Sequence, residues 1–365
     1  VTTEAICRLP APESAQEWAQ LRERGWEARQ ALAERVVVLG HHYQKDEVIE
    51  FADVTGDSFL LARRGAAADA ELILFLGVYF MAESADILAQ EHQTVVLPDL
   101  GAGCHLAECA DIYTVRDAWT QMTDAVPGKT VIPITYMNSD AALKAFVGEH
   151  GGLVCTSSNA EQAFRWAFEN GDAVFFFPDE HLGRNTGERL GIPPDEPLVW
   201  DAMKADLGGV DAVALAGARS ILWKGFCNVH TAFNTRQIMR AREDHPDVRV
   251  IVHPECPRPV VAAADEDGST EYIIRRCNEL PSGATVAIGT DWNLVNRLRQ
   301  QHTDKTIFCL NEHICPCVTM NRIDLPTLVG TLEALANGEL PNVVSVDEET
   351  ATWAKVALDR MLALA

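Results

Sequence analysis

The chain has 365 residues, 47% hydrophobic and 23% charged, a globular balance long enough for two or three domains and far from the disordered range. Its 30 basic and 53 acidic side chains leave a formal net charge of −23, which excludes an electrostatic nucleic-acid footprint and leaves any anionic substrate to local donors. The opening VTTEAICRLPAPES lacks the apolar core of a secretion signal, and LILFLGVYFMA (72–82) is too short to span a bilayer. No membrane association and a reducing, cytoplasmic setting are therefore expected.

An amphipathic helix is predicted over about 12–34. Strands follow at VVVLG (36–40), LILFLGV (72–78), TVVLP (94–98), TVIPI (130–134), GLVCT (152–156), AVFFFP (173–178), SILWK (220–224), VRVIV (248–252), TVAIG (285–289) and TIFCL (306–310). Short β-branched runs separated by helix-length segments indicate βα units and parallel sheets, either one large wound sheet or several small ones. GIPPDEP (191–197) reads as a turn-rich loop, and no repeat or flexible linker marks a boundary.

The residues just after the strands carry the chemistry. VVVLG runs into His41, His42, Tyr43 and Gln44; TVIPI into Thr135, Tyr136, Met137 and Asn138; GLVC into Thr156, Ser157, Ser158 and Asn159. AVFFFP is followed by Asp179, Glu180 and His181, and VRVIV by His253, Pro254, Glu255 and Cys256. Ligands of parallel α/β sheets bind outside the carboxyl ends of the strands, so these side chains point to polar sites there. Helix capping is the competing reading; it suits Ser157, Asn159 and Ser269 and accounts poorly for Tyr43, Tyr136, His253 and Glu255.

Ten cysteines in such a chain suggest metal or redox chemistry rather than a disulfide scaffold. Cys7, Cys155 and Cys277 read as lone buried hydrophobes. The compact spacings are Cys104-x4-Cys109 and Cys309-x5-Cys315-x-Cys317, with His313 inside the second. Cys104, Cys227 and Cys315 lie in loops after strands, and Gly101, Gly103 and Gly225 would let backbone approach a bulky group. Soft thiolates favour an iron–sulfur cluster or zinc, and three ligands leave one metal position open. Spacing does not select the three: Cys256 is as good a candidate as Cys227.

Taken in order, the motifs resemble the quinolinate synthase family over about residues 36–335. They are HHYQKDEVIEFADVTGDS (41–58), GVYFMAESADIL (77–88), LPDLGAGCHLAE (97–108), TYMNSDAALKA (135–145), CTSSNA (155–160), FFPDEHLGRNTGERLG (176–191), WKGFCNVH (223–230), HPEC (253–256), ADEDGST (264–270) and CPCVTMN (315–321). Ten motifs in one order are highly specific. The resemblance implies an α/β fold of three similar small parallel-sheet domains around a pseudo-threefold axis, with the active site at the centre. Its expected divisions are an N-terminal helical segment (1–35), domains 36–112, 113–233 and 234–322, and C-terminal helices (323–365).

The same resemblance implies a [4Fe–4S] cluster held by Cys104, Cys227 and Cys315, with Cys256 not a ligand. It implies condensation of iminoaspartate with dihydroxyacetone phosphate to quinolinate, with loss of phosphate and water, and suggests L-aspartate oxidase as a protein partner. Carried over by motif, His41, Tyr43, His230, His253 and Glu255 form the catalytic group. Ser58, Tyr136, Asn138, Ser157, Ser269 and Thr270, with His41, His253 and Glu255, bind substrate. On extended strand ends, His253 with Glu255 and Tyr136 with Asn138 would each face one way. Hydroxyls and free N–H groups at helix starts hold anions without net positive charge.

Two further classes stand beside this one: a three-cysteine iron–sulfur protein like the diphthamide synthase subunits, acting on a protein partner, and a non-catalytic ligand-binding or zinc protein. Tyr136 with Asn138, HPE and GST favour the small-substrate enzyme. His42, His105, His181 and His313 read as surface or capping residues, and Glu180 with Arg184 as a structural ion pair. Cys309 and Cys317 are a candidate reversible pair near Cys315.

Overall fold

Strands covered on both faces read as unbroken apolar runs. In the computed structural model, which describes residues 8–364, the segments LILFL and AVFFF are buried at every position. Cys7 lies outside the described residues. The first sheet contains β1 (Val36–His41), β2 (Val54–Gly56), β3 (Leu72–Leu76) and β4 (Thr94–Val96). The second contains β5 (Val131–Tyr136), β6 (Leu153–Cys155), β7 (Ala173–Phe177), β8 (Leu198–Trp200) and β9 (Ser220–Trp223). The third contains β10 (Arg249–Val252), β11 (Glu266–Asp267), β12 (Thr285–Gly289) and β13 (Thr306–Cys309). Late in the chain β14 (Val343–Val344) returns to the first sheet and pairs antiparallel with β4; every other pairing is parallel.

The strand orders are β14-β4-β3-β1-β2, β6-β5-β7-β9-β8 and β11-β10-β12-β13. In each sheet the first strand is flanked by the second on one side and the third on the other. Winding therefore reverses beside β1, β5 and β10, and the carboxyl ends of these strands border the crevices where α/β sheets take ligands. His41, Tyr136 and His253 sit at those three ends. The three sheets are similar α/β layers, as the resemblance implies.

All ten predicted strands form. The sequence reading missed β2, β8, β11 and β14, and GIPPDEP leads into β8. The long apolar run 72–82 divides into β3 and the helix Tyr79–Leu88, with Gly77 between them.

Two compact units result. One comprises the described residues to Cys104 with Pro316–Val346; the other comprises His105–Cys315 with the described residues from Asp347. The first sheet belongs to the first unit, where the helix Ala15–Leu32 packs against Leu325–Ala336 and Arg24 grips Glu333 through two bonds of 2.9 and 2.8 Å. The second and third sheets belong to the second unit. There the last helix, Glu348–Ala363, lies against Ala141–Glu149 so closely that a Cβ on Gly148 would collide with the Trp353 carbonyl. Part of the acidic surplus sits at helix starts. Asp57, Asp111, Asp140, Asp324 and Asp347 cap helices through their carboxylates, where free N–H groups and the helix dipole favour negative charge. Among the described residues no helix is long and apolar enough to cross a membrane.

Candidate active site

The second unit gathers four predicted residues and one that was missed. β10 ends as the His253 N–H donates to the Gly289 carbonyl (3.0 Å), and a turn then closes from the Cys256 N–H to the His253 carbonyl (3.0 Å). Pro254, with its fixed φ, suits the second position of such a turn. The turn, not strand alternation, brings His253 and Glu255 together: their Nδ1 and Oε1 atoms are 3.8 Å apart, and the Glu255 N–H donates to His253 Nδ1 (3.4 Å). The extended geometry expected at this pair is thus corrected. The same holds at β5, where the ladder runs on to Met137, whose N–H donates to Cys155 (2.7 Å), before the chain bends. Tyr136 is left buried, while Asn138 is half-buried in the bend.

Tyr136 donates its hydroxyl to Glu255 Oε1 (2.6 Å), and His230 Nδ1 meets Glu255 Oε2 (2.8 Å). His230 Nε2 lies 3.0 Å from the Thr290 hydroxyl, and His253 stacks on His230 with centroids 4.4 Å apart. Glu255, His230 and His253 are all nearly fully buried. A carboxylate accepts only, so Nδ1 of His230 carries the proton that faces it. Burial alone would raise Glu255, but the two imidazoles and the hydrogen bonds from His230 and Tyr136 outweigh it and hold the carboxyl below its usual range. His253 is driven down to about 3, first by burial and then by His230. Asp179, the residue after Pro178, is pushed well above the usual carboxylate range by burial and then by Glu255; one of its buried oxygens has no hydrogen-bond partner. An ionised carboxylate, a phenol, a proton-bearing imidazole and a neutral imidazole in one dry cluster can accept, hold and return protons.

The other predicted residues stand as follows. In the first unit, buried His41 accepts from the Tyr43 N–H at Nδ1 (3.1 Å), and the two rings meet edge-on with centroids 4.8 Å apart. Ser58 begins the helix Ser58–Ala66, and Cys104 is half-buried. In the second unit, Ser157 lies in the turn between β6 and the helix Ala160–Asn170. Thr270 begins the helix Thr270–Glu279, which Ser269 caps by accepting from the Tyr272 N–H (3.3 Å). The capping reading thus describes Ser269. Asn159 instead accepts from the Thr156 N–H (2.7 Å). Glu180 and Arg184 pair at 2.9 Å, and Arg184 also donates to the Pro194 carbonyl (2.7 Å), which fits a structural role.

The cysteines divide by surroundings. Cys104 and Cys227 are half-buried and Cys315 is exposed, whereas Cys155, Cys256, Cys277 and Cys309 are buried. Burial pushes the thiols of all four upward, Cys277 to about 11 and Cys309 to about 12. The Cys256 thiol donates to the Gly289 carbonyl at 3.7 Å. Cys227, His230 and Glu255 offer ligand atoms all within 4.8 Å of one another, a group able to hold a metal. Two glycines expected to admit a bulky ligand instead admit protein: a Cβ on Gly101 would meet the Arg322 guanidinium, and one on Gly225 the Pro178 carbonyl. Thr290 was legible as the residue following TVAIG, since the strand-end rule applies there too. Asp179 stood in a quoted motif without a role.

Three wound sheets and a buried acid–base cluster at strand ends define an α/β enzyme. The chain belongs to the quinolinate synthetase A family, whose model, described as Quinolinate synthetase A protein, matches residues 27–363. It is similar to the quinolinate synthase of Corynebacterium glutamicum, 52% identical over 346 residues that cover 94% of this chain and 88% of the relative. Quinolinate synthases of Streptomyces coelicolor (52% identical, 98% and 90% covered) and of a Nocardioides species (53% identical, 94% and 89% covered) are comparably close. The diphthamide-synthase-like alternative is not favoured by these relatives.

Proposed function

We propose that the chain condenses iminoaspartate with dihydroxyacetone phosphate to quinolinate, with loss of phosphate and water. The observation that carries this reading is the buried chain Tyr136–Glu255–His230–Thr290 with His253 stacked beside it. Such a reaction removes protons from carbon and nitrogen and delivers them to departing oxygen, near neutral pH. Glu255, ionised, is the base and takes the proton on its own carboxylate, which the Tyr136 hydroxyl and the His230 Nδ1 proton orient by donating to it. His253, uncharged, orients substrate by hydrogen bonding. His41 and Tyr43 complete the catalytic group, while Tyr136 and Asn138 hold the dicarboxylate part. Ser58, Ser157, Ser269 and Thr270 bind carboxylate or phosphate oxygens, three of them at or beside a helix start, where the helix dipole favours negative charge.

The donor set suits an iron–sulfur cluster. Cys104, Cys227 and Cys315 have solvent access, as do Cys109 and Cys317, whereas a thiol raised by burial, such as Cys256, is a poor thiolate ligand. Cys104, Cys227 and Cys315 are the proposed ligands of a [4Fe–4S] cluster, which when bound supplies a Lewis-acidic iron for dehydration. Each belongs to one of the proposed domains 36–112, 113–233 and 234–322, which contain β1–β4, β5–β9 and β10–β13 respectively. A cytoplasmic setting, with L-aspartate oxidase as the source of short-lived iminoaspartate, completes the reading. The test is an anaerobic assay of reconstituted protein with dihydroxyacetone phosphate and enzymatically generated iminoaspartate. Quinolinate is the expected product, and an intact cluster without quinolinate would overturn the reading.

A further inference from the structure

Glu255 sits at a turn held from within by the Cys256 N–H donating to the His253 carbonyl and the Glu255 N–H donating to His253 Nδ1. The remaining support comes from elsewhere in the second unit. The helix Glu180–Arg189 begins at Asp179, which caps it by accepting from the Leu182 N–H (2.8 Å). Its first N–H, that of Glu180, donates to the Gly225 carbonyl (2.9 Å), just before the loop carrying Cys227 and His230. Further along, Asn185 is nearly fully buried, and its side-chain nitrogen donates to the Pro254 carbonyl (2.8 Å) and to the Cys256 carbonyl (2.9 Å).

These two carbonyls flank Glu255. Backbone carbonyls only accept, so the amide nitrogen must be the atom that faces them, and both of its hydrogens are used. Asparagine is a weak helix former, and a buried one gains by being hydrogen-bonded at a fixed place. One helix therefore touches the backbone before His230 and the carbonyls of the two residues on either side of Glu255, at the two ends of a 2.8 Å hydrogen bond. We propose that Asn185 is a positioning residue for Glu255, clamping the His253–Cys256 turn so that the carboxylate stays directed at His230 and Tyr136. The proposal rests on the reading of Glu255 as the catalytic base.

Asn185→Ala removes both donors and leaves every residue of the cluster unchanged. Its kcat should fall at least tenfold while KM for either substrate stays within about twofold of the parent. Arg184→Ala, on the same helix but bonded to Glu180 and Pro194, supplies the control for lost helix stability and should keep parental kcat per folded molecule. An activity-independent arm follows the His230 Nδ1 proton by NMR of histidine-labelled protein. A downfield signal in the parent should be lost or exchange-broadened in Asn185→Ala and retained in Arg184→Ala. Should Asn185→Ala fail to fold, Asn185→Ser carries the same comparisons. Parental kcat and an unchanged imidazole signal in the Asn185 variant, or equal losses in Arg184→Ala, would overturn the proposal. A parent that makes no quinolinate would overturn the functional reading instead, and the NMR arm would still decide the clamp.

Discussion

His253→Asn should change how stability depends on pH. The imidazole is 2% exposed and stacked on His230, and the nearest Glu255 oxygen, at 3.8 Å, is beyond hydrogen-bond reach. Its proton affinity falls from an ordinary value of 6.5 to about 3. Below pH 6.5 the unfolded chain takes up a proton that the folded protein refuses, so stability present above 6.5 is lost as pH falls toward 3. Each pH unit inside that window is worth about 1.4 kcal/mol, or about 2 kcal/mol between pH 6.5 and 5. Asp179 titrates in the opposite sense but is common to both proteins, so it drops out of their difference. Urea unfolding followed by tryptophan fluorescence, reported in the second unit by buried Trp200 and Trp223, measures both proteins from pH 5 to 7.5. The variant should gain about 2 kcal/mol on the parent across that interval as pH is lowered. A difference that stays constant with pH would refute the argument that this imidazole is held neutral by burial and by its neighbour.

Asp179→Asn keeps an oxygen to cap the helix. Because the folded acid is raised above its ordinary 3.8, the parent loses stability as pH rises through that window. The variant should therefore gain on the parent by about 1.4 kcal/mol per pH unit there and show no relative gain below it, in the same unfolding assay. Gly148→Ala forces a methyl group against the Trp353 carbonyl and should cost about 1–3 kcal/mol, seen as a lower melting temperature. Cys227→Ser should lose iron and the broad absorption near 400 nm after anaerobic reconstitution, and Cys256→Ser should keep both; loss from both would refute the ligand assignment. Tyr136→Phe deletes the 2.6 Å bond to Glu255 and should lower kcat about 10²-fold, measured as initial rates of quinolinate formation.

The long central strands were legible because burial on both faces leaves a short apolar run rich in β-branched and aromatic residues. β11 and β14, two residues each, carry no such run: Glu266–Asp267 is wholly acidic, and Val343–Val344 is too short to show a period. The site was legible as residue types at strand ends but not as geometry. Tyr136 and Glu255 were both singled out, yet their hydrogen bond joins positions 119 apart, and local patterning cannot register such a distance. The alternation rule also failed where strands gave way to turns, at Asn138 and Glu255, because a bend replaces the two-residue period. Asn185 escaped for a related reason: an asparagine within a helix signals nothing until its acceptors, about seventy positions away, are known.

Neither unit is continuous in the chain. The first lacks a helix and an edge strand until residues 316–346 emerge, and the second lacks its last helix until residues from 347 onward do. During synthesis both would wait, with apolar faces uncovered, for segments made after the intervening chain is complete. Assembly should thus be late and slow, governed by closures spanning more than two hundred positions, such as Arg360 donating to Gly152 at 2.6 Å. Ribosome-bound chains arrested before residue 340 should leave both units open to protease; emergence of residues to 346 should protect the first unit, and emergence of residues to 363 the second.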